Sequence, residues 1–120
     1  MTFDPLTSIK RVLVLHLLRQ LLEADGQQLG RMPLHLHRCY VLRWDAIQAD
    51  LLRQIGEIKR ELRRHGVRIV EQRKTALDFQ IAYLQKGYRH EHHFLLDTLQ
   101  AEAQELAIDY LGGREHGCTS

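Results

Sequence analysis

The chain has 120 residues, 44% of them hydrophobic and 27% charged, and carries a formal net charge of +2. That length fits one globular domain, and that composition excludes a disordered or fibrous polypeptide. So small a net charge gives no ground by itself for nucleic-acid binding. Two cysteines, Cys39 and Cys118, are too few for a disulfide framework. No secretory leader pattern opens the chain, and the longest apolar run, Val12 to Leu18, is broken by His16 and is far short of the ~20 residues of a membrane span. A reducing cytoplasm, away from any membrane, is the expected setting.

The charge is unevenly spread. Residues 91–120 hold Arg114 against Glu91, Asp97, Glu102, Glu105, Asp109 and Glu115, while the preceding residues are basic in balance. Such asymmetry either steers a partner or lets one part of the fold dock on another.

Asp4-Pro5 is a helix start, because Asp accepts from the first free N–H groups and Pro at the first helical position gives up no hydrogen bond. From there to about Ala24, Leu13, Val14, Leu15, Leu17, Leu18, Leu21 and Leu22 occupy one wide sector, which places this helix at the centre of the fold. Asp25-Gly26 is read as its end. Residues 26–42 contain two Gly, one Pro and the alternation Leu34-His35-Leu36-His37, compatible with a loop, a short strand or a further helical turn.

Asp45, with Gln48 three residues on, resembles a capping box. The helix after it, to about residue 65, has a narrow stripe of Ile47, Leu51, Ile55, Ile58 and Leu62, with Trp44 at its entrance. Gly66 closes it, after Arg63, Arg64 and His65, where cations suit the helix dipole. Val67 to Gln72 has the β-branched content of a strand, and Leu77, Phe79, Ile81 and Tyr83 alternate with more polar positions, so residues 67–84 read as a hairpin. After Gly87, a last helix runs from about Tyr88 to Leu111 on Leu95, Leu99, Ala103, Leu106 and Tyr110, stopped by Gly112-Gly113.

The expected fold is mostly α (α+β): three main helices with a β-hairpin between the second and third, residues 1–112 as one domain and 113–120 as a flexible tail. The expected core comprises Leu13, Leu17, Leu21, Ile47, Leu51, Ile55, Ile58, Leu62, Phe79, Ile81, Leu95, Leu99 and Leu106.

Four groups of residues bear on function. On the 45–65 helix, Arg53, Arg60 and Arg64 lie on one side with Arg63 on the flank, opposite the apolar stripe. An arginine-faced helix followed by a hairpin has the order of a winged-helix DNA binder. That arrangement needs a preceding helix within residues 32–42, and Asp50, Glu57 and Glu61 beside the arginines oppose phosphate. A solvated helix shows the same mixed charge. His90 and His93 share a face if helical and would then contribute two ligands to a metal. No zinc-finger, His-Glu-x-x-His or Cys-x-x-Cys spacing accompanies them, and an exposed first turn explains them equally well. Cys39 near His35 and His37 reads better as a partly buried structural cysteine than as a nucleophile with its base. No phosphate loop or nucleophile elbow is found, so no catalytic residue and no cofactor is assigned. Tyr83, Tyr88 and Phe94 close the core where hairpin meets helix, or anchor a partner.

The run from Ile58 to Ile69 (Ile-Lys-Arg-Glu-Leu-Arg-Arg-His-Gly-Val-Arg-Ile), an extended piece ending in Lys86-Gly87-Tyr88, and the long last helix are together similar to small uncharacterised proteins of spore-forming Bacillus-type bacteria. The resemblance covers about half the chain. It implies a cytosolic bacterial protein and carries no site residues with it.

The expectation for function is a non-enzymatic interaction or regulatory module that works through protein contacts. It is expected to be a homodimer, with the 45–65 stripe or the last helix at the interface. A DNA-binding regulator and a metal-responsive histidine-rich protein stand as alternatives.

Overall fold

A computed structural model describes residues 3–33 and 35–112. The order is α1 (Pro5–Arg31), α2 (His37–Arg64), β1 (Val67–Lys74), β2 (Asp78–Gln85), β3 (Tyr88–Leu95) and α3 (Leu96–Leu111). The fold is α+β, three helices with an antiparallel sheet between the second and the third. The expected tail, and Cys118 with it, lies outside the described residues, as does Leu34 of the expected alternation.

Helix α1 begins as its sequence dictates. Asp4 accepts from the Leu6 N–H at 3.1 Å and from the Thr7 hydroxyl at 2.6 Å, with Pro5 at the first helical position. It does not stop at Gly26 but runs on to Arg31. The reason is packing: Trp44 comes so close that a Cβ on Gly26 would lie 3.0 Å from its Cδ1, and the indole N–H donates to the Leu22 carbonyl at 2.7 Å. The glycine marks a close approach and not a helix end. Four consecutive buried residues, Val12 to Leu15, show a helix contacted on several sides.

Helix α2 starts eight residues before Asp45, so the expected capping box does not form. Gln48 instead clasps α1, accepting from Arg19 Nε at 3.2 Å and donating to the Arg19 carbonyl at 3.1 Å. The two helices are antiparallel: Trp44 meets Leu22, Gln48 meets Arg19, and His65 at the far end stacks on Phe3 at 3.9 Å. Residues 26–42 therefore belong mainly to the ends of two long helices. The separate short helix that a winged-helix arrangement needs is not found among the described residues. Of the expected stripe, Ile47, Leu51, Ile55 and Leu62 are buried within the chain and Ile58 packs against them half-buried.

The hairpin is present and continues into a third strand, giving the order β1-β2-β3. Gln85 pairs with Tyr88 across the two-residue link Lys86-Gly87, whose φ values are +53° and +85°. Two positive φ angles in a two-residue link define the primed turn that matches strand twist. Residues 88–95, expected as helix, are thus a strand, and α3 begins only at Leu96. β1 carries a bulge between Ile69 and Glu71. Phe79, Ile81 and Tyr83 turn one face of the sheet toward the helices, and the other face bears Glu71, Arg73, Arg89 and Glu91.

Among the expected core residues, Leu13, Ile47, Leu51, Ile55, Leu62, Ile81 and Leu99 are buried, and Leu17, Ile58, Phe79 and Leu106 pack against them half-buried. Leu21 and Leu95 are corrections, at 42% and 65% exposure. Leu21 stands exposed on α1 beside the buried Leu22, and Leu95 falls on the strand face turned away from the helices.

Candidate interaction surfaces

The four arginines expected to share one side of α2 divide into two groups. Arg53 is neutralised on its own helix, by Asp50 at 2.6 Å and Glu57 at 2.8 Å. Arg60, Arg63 and Arg64 together line an open depression at the helix's C-terminal end, where Arg64 also pairs with Glu61. The four do not form one uninterrupted cationic face.

The histidine cluster is rearranged by the strand assignment. On β3 alternate side chains point to opposite faces, so His90 and His93 are not side by side. His90 stacks on Tyr83 at 5.0 Å and His92 sits edge-on to Phe94, while His93 on the other face meets Asp78 at 3.2 Å. That contact, together with a hydrogen bond from Thr75, holds the Asp78 carboxyl below its ordinary range, with Thr75 the larger cause. No group of three or more His, Cys, Asp or Glu able to hold a metal occurs among the described residues. Cys39 is exposed on the first turn of α2, contrary to the expected partial burial. Tyr83 and Phe94 close the core, and Tyr88 of the same aromatic group is 73% exposed.

A different surface emerges between α1, the sheet and the start of α3. A recess of about 300 Å³ has a floor of Leu13, Leu17, Phe79, Leu96 and Leu99, and His16, Gln20, Gln72 and Lys74 on its sides. Burial, then Lys59 and Arg19, push His16 below its ordinary value, so it favours the neutral form. Two exposed leucines stand near the lining residues in the chain. Leu21 follows Leu17 one turn along α1 on the same side. Leu77, 79% exposed, lies on the turn between β1 and β2, and its carbonyl accepts from the N–H of Leu96, a recess residue, at 3.0 Å. The Thr75 hydroxyl shapes that turn, accepting from the Leu77 and Asp78 N–H groups at 3.3 and 3.0 Å. Sequence reasoning missed this surface because it assigned Leu17 and Leu21 to the core together with Leu13. The signal available was the breadth of the α1 sector, wider than two neighbours cover.

Opposite the recess, a polar cluster ties α3 to α2. Tyr110 donates to Asp50 at 2.5 Å and accepts from Gln54 at 2.7 Å, and Arg43 donates to the Tyr110 carbonyl at 2.8 Å. Tyr110 and Arg53 hold the Asp50 carboxyl below its usual range, Tyr110 foremost. Burial and then Asp50 raise the Tyr110 hydroxyl. The cluster is a clasp between helices.

These features define a small α+β domain of three helices and a three-stranded antiparallel sheet, with an apolar recess between α1, the sheet and α3. The chain belongs to the YhjD protein family, whose model matches residues 1–115. That match takes in the first 45 residues, which the resemblance seen in the sequence left out. No curated protein and no solved structure matches the chain. No helix among the described residues is long and apolar enough to cross a membrane.

Proposed function

We infer that this chain is a non-enzymatic interaction module that acts by docking a segment of another protein on the strip Leu21–Leu17–Phe79–Leu77. The observation that carries the reading is the apolar recess of Leu13, Leu17, Phe79, Leu96 and Leu99, with Leu21 exposed one helical turn beyond Leu17 and Leu77 exposed on the turn whose carbonyl accepts from Leu96. Apolar surface gathered in this way marks a contact site where single exposed leucines do not. The occupant it fits is an amphipathic helix. Leu17 and Leu21 lie one helical turn apart above the Leu13 floor, and Lys74 on the recess wall complements an acidic residue beside the occupant's apolar face.

The test is a photo-crosslinking residue placed at Leu77 in the full chain within its native cells, with the same residue at Lys86, the opposite end of the sheet, as control. A discrete adduct from position 77 that is absent from position 86 and lost in the Leu21→Glu background supports the reading. Adducts identical at 77 and 86, or unaffected by Leu21→Glu, overturn it.

A second reading, contact with nucleic-acid phosphates, is favoured by the depression that Arg60, Arg63 and Arg64 share. It requires retardation of duplex DNA that weakens steeply with salt and is lost when all three become Ala. No retardation at low salt removes it.

A further inference from the structure

The two edges of the sheet are unequally defended. β1 is interrupted by its bulge, which leaves Val70 without a partner, and it carries Arg68, Arg73 and Lys74. Bulges and cations are standard protection against edge-to-edge pairing. β3 has neither bulge nor proline, and its charged residues, Arg89 and Glu91, are of opposite sign. It pairs with β2 over eight residues without a register shift, and no described strand covers its other edge.

The Lys86-Gly87 link determines which backbone groups that edge presents. A two-residue link makes Gln85 and Tyr88 a hydrogen-bonded pair, and such pairs alternate along an antiparallel ladder. Tyr88, His90, His92 and Phe94 therefore spend their N–H and C=O groups on β2, while Arg89, Glu91 and His93 direct theirs outward.

The charges on those outward residues are self-complementary. Arg89 and Glu91 stand one on each side of His90 on the same face of the sheet. When this strand meets an inverted copy of itself with His90 opposite His90, Arg89 faces Glu91 of the second copy, and Glu91 faces Arg89 of the second copy. Both pairs lie at positions whose backbone groups point at each other, so ladder bonds and opposite charges coincide. Tyr88 then falls opposite His92 of the second copy. Arg89 already lies 2.9 Å from Glu71 and 3.3 Å from Glu91 of its own chain, so the new pairs extend an existing row of alternating charge.

From this we propose that the chain forms a two-fold dimer through antiparallel pairing of β3 with β3, joining two meanders into one six-stranded sheet. The occupant is a second copy because the pattern pairs with its own inverse. The surface is separate from the Leu21–Leu77 strip, and either proposal stands or falls without the other.

Sedimentation equilibrium of the full chain over a hundredfold concentration range tests it. The wild type reaches about twice the 14.1 kDa chain mass. Arg89→Glu and Glu91→Arg, each alone, place like charges opposite one another and lower the association constant at least tenfold. Combining Arg89→Glu with Glu91→Arg restores association to within about threefold of wild type, and thermal melts followed by circular dichroism show independently that each single variant folds. A wild type that stays monomeric throughout, a dimer indifferent to both single reversals, or a double reversal that remains monomeric each overturn the proposal.

Discussion

Trp44 and Gly26 are in contact across the antiparallel pair of long helices: a Cβ at position 26 would stand 3.0 Å from the indole Cδ1, and the ring is held there by its hydrogen bond to the Leu22 carbonyl. The glycine is therefore a packing residue. Gly26→Ala gains about 1 kcal/mol of helix propensity, but a methyl group forced against an anchored ring loses roughly 1–3 kcal/mol. The expected outcome is a lower melting temperature. A rise would mean that the indole swings aside freely.

The centre of the helical layer is sensitive to truncation. Ile55 and Leu99 are buried at 4% and 1% exposure, and replacing either with Ala removes packing worth about 2–5 kcal/mol. Against the ~5–15 kcal/mol stability of an ordinary domain, that is a large loss. Urea titration followed by circular dichroism measures it; a midpoint equal to the parent's would remove these residues from the core.

The Lys86-Gly87 turn places a lysine at φ +53°, a region in which a side chain is strained unless it is Asn or Gly. Lys86→Asn is expected to stabilise the chain by about 0.5–1 kcal/mol, read as a higher midpoint of denaturation. A fall in that midpoint would contradict the primed turn, and with it the alternation of hydrogen bonds assigned to β3.

His16 gives the fold a pH dependence of known sign. Burial first, then Lys59 and Arg19, lower its pKa below the ordinary 6.5. The unfolded chain therefore binds more protons than the folded one in the window between the lowered value and 6.5. Stability due to this group is intact above 6.5 and declines as the pH falls through that window. His16→Leu should lose less stability than the parent between pH 7.5 and 5.5. Equal losses in the two proteins would refute a neutral, half-buried His16.

Much of the architecture was legible because burial leaves a period in the sequence. The stripe Ile47-Leu51-Ile55-Leu62 and the alternation Phe79-Ile81-Tyr83 both name their element without help from tertiary structure. Asp25-Gly26 and Asp45-Gln48 misled because local stop and start chemistry is weak beside the contacts of Trp44 and Gln48 across the helix pair. β3 was read as helix because His90, Glu91, His92 and His93 lack apolar alternation and Leu95-Leu99 supplied a helical spacing just beyond them. Its signal was the Lys86-Gly87 turn, which lacks the Asn of the commonest pattern. The strip beside the recess was hidden for another reason: a leucine on a central helix looks the same in a sequence whether this chain covers it or not.

The strands of the meander are neighbours in the chain, whereas α1 is separated from α3 by most of its length, with Lys10 reaching Glu102 at 2.9 Å. During synthesis at roughly 5–20 residues per second, several seconds separate the emergence of α1 from that of α3. Through that interval the nascent chain has α2 and then the meander to shelter its first helix, but nothing to occupy the place of Leu99 and Ala103. A ribosome-bound chain stalled before residue 96 would therefore present the surfaces that a chaperone recognises, and release of the last helix is the step that retires them.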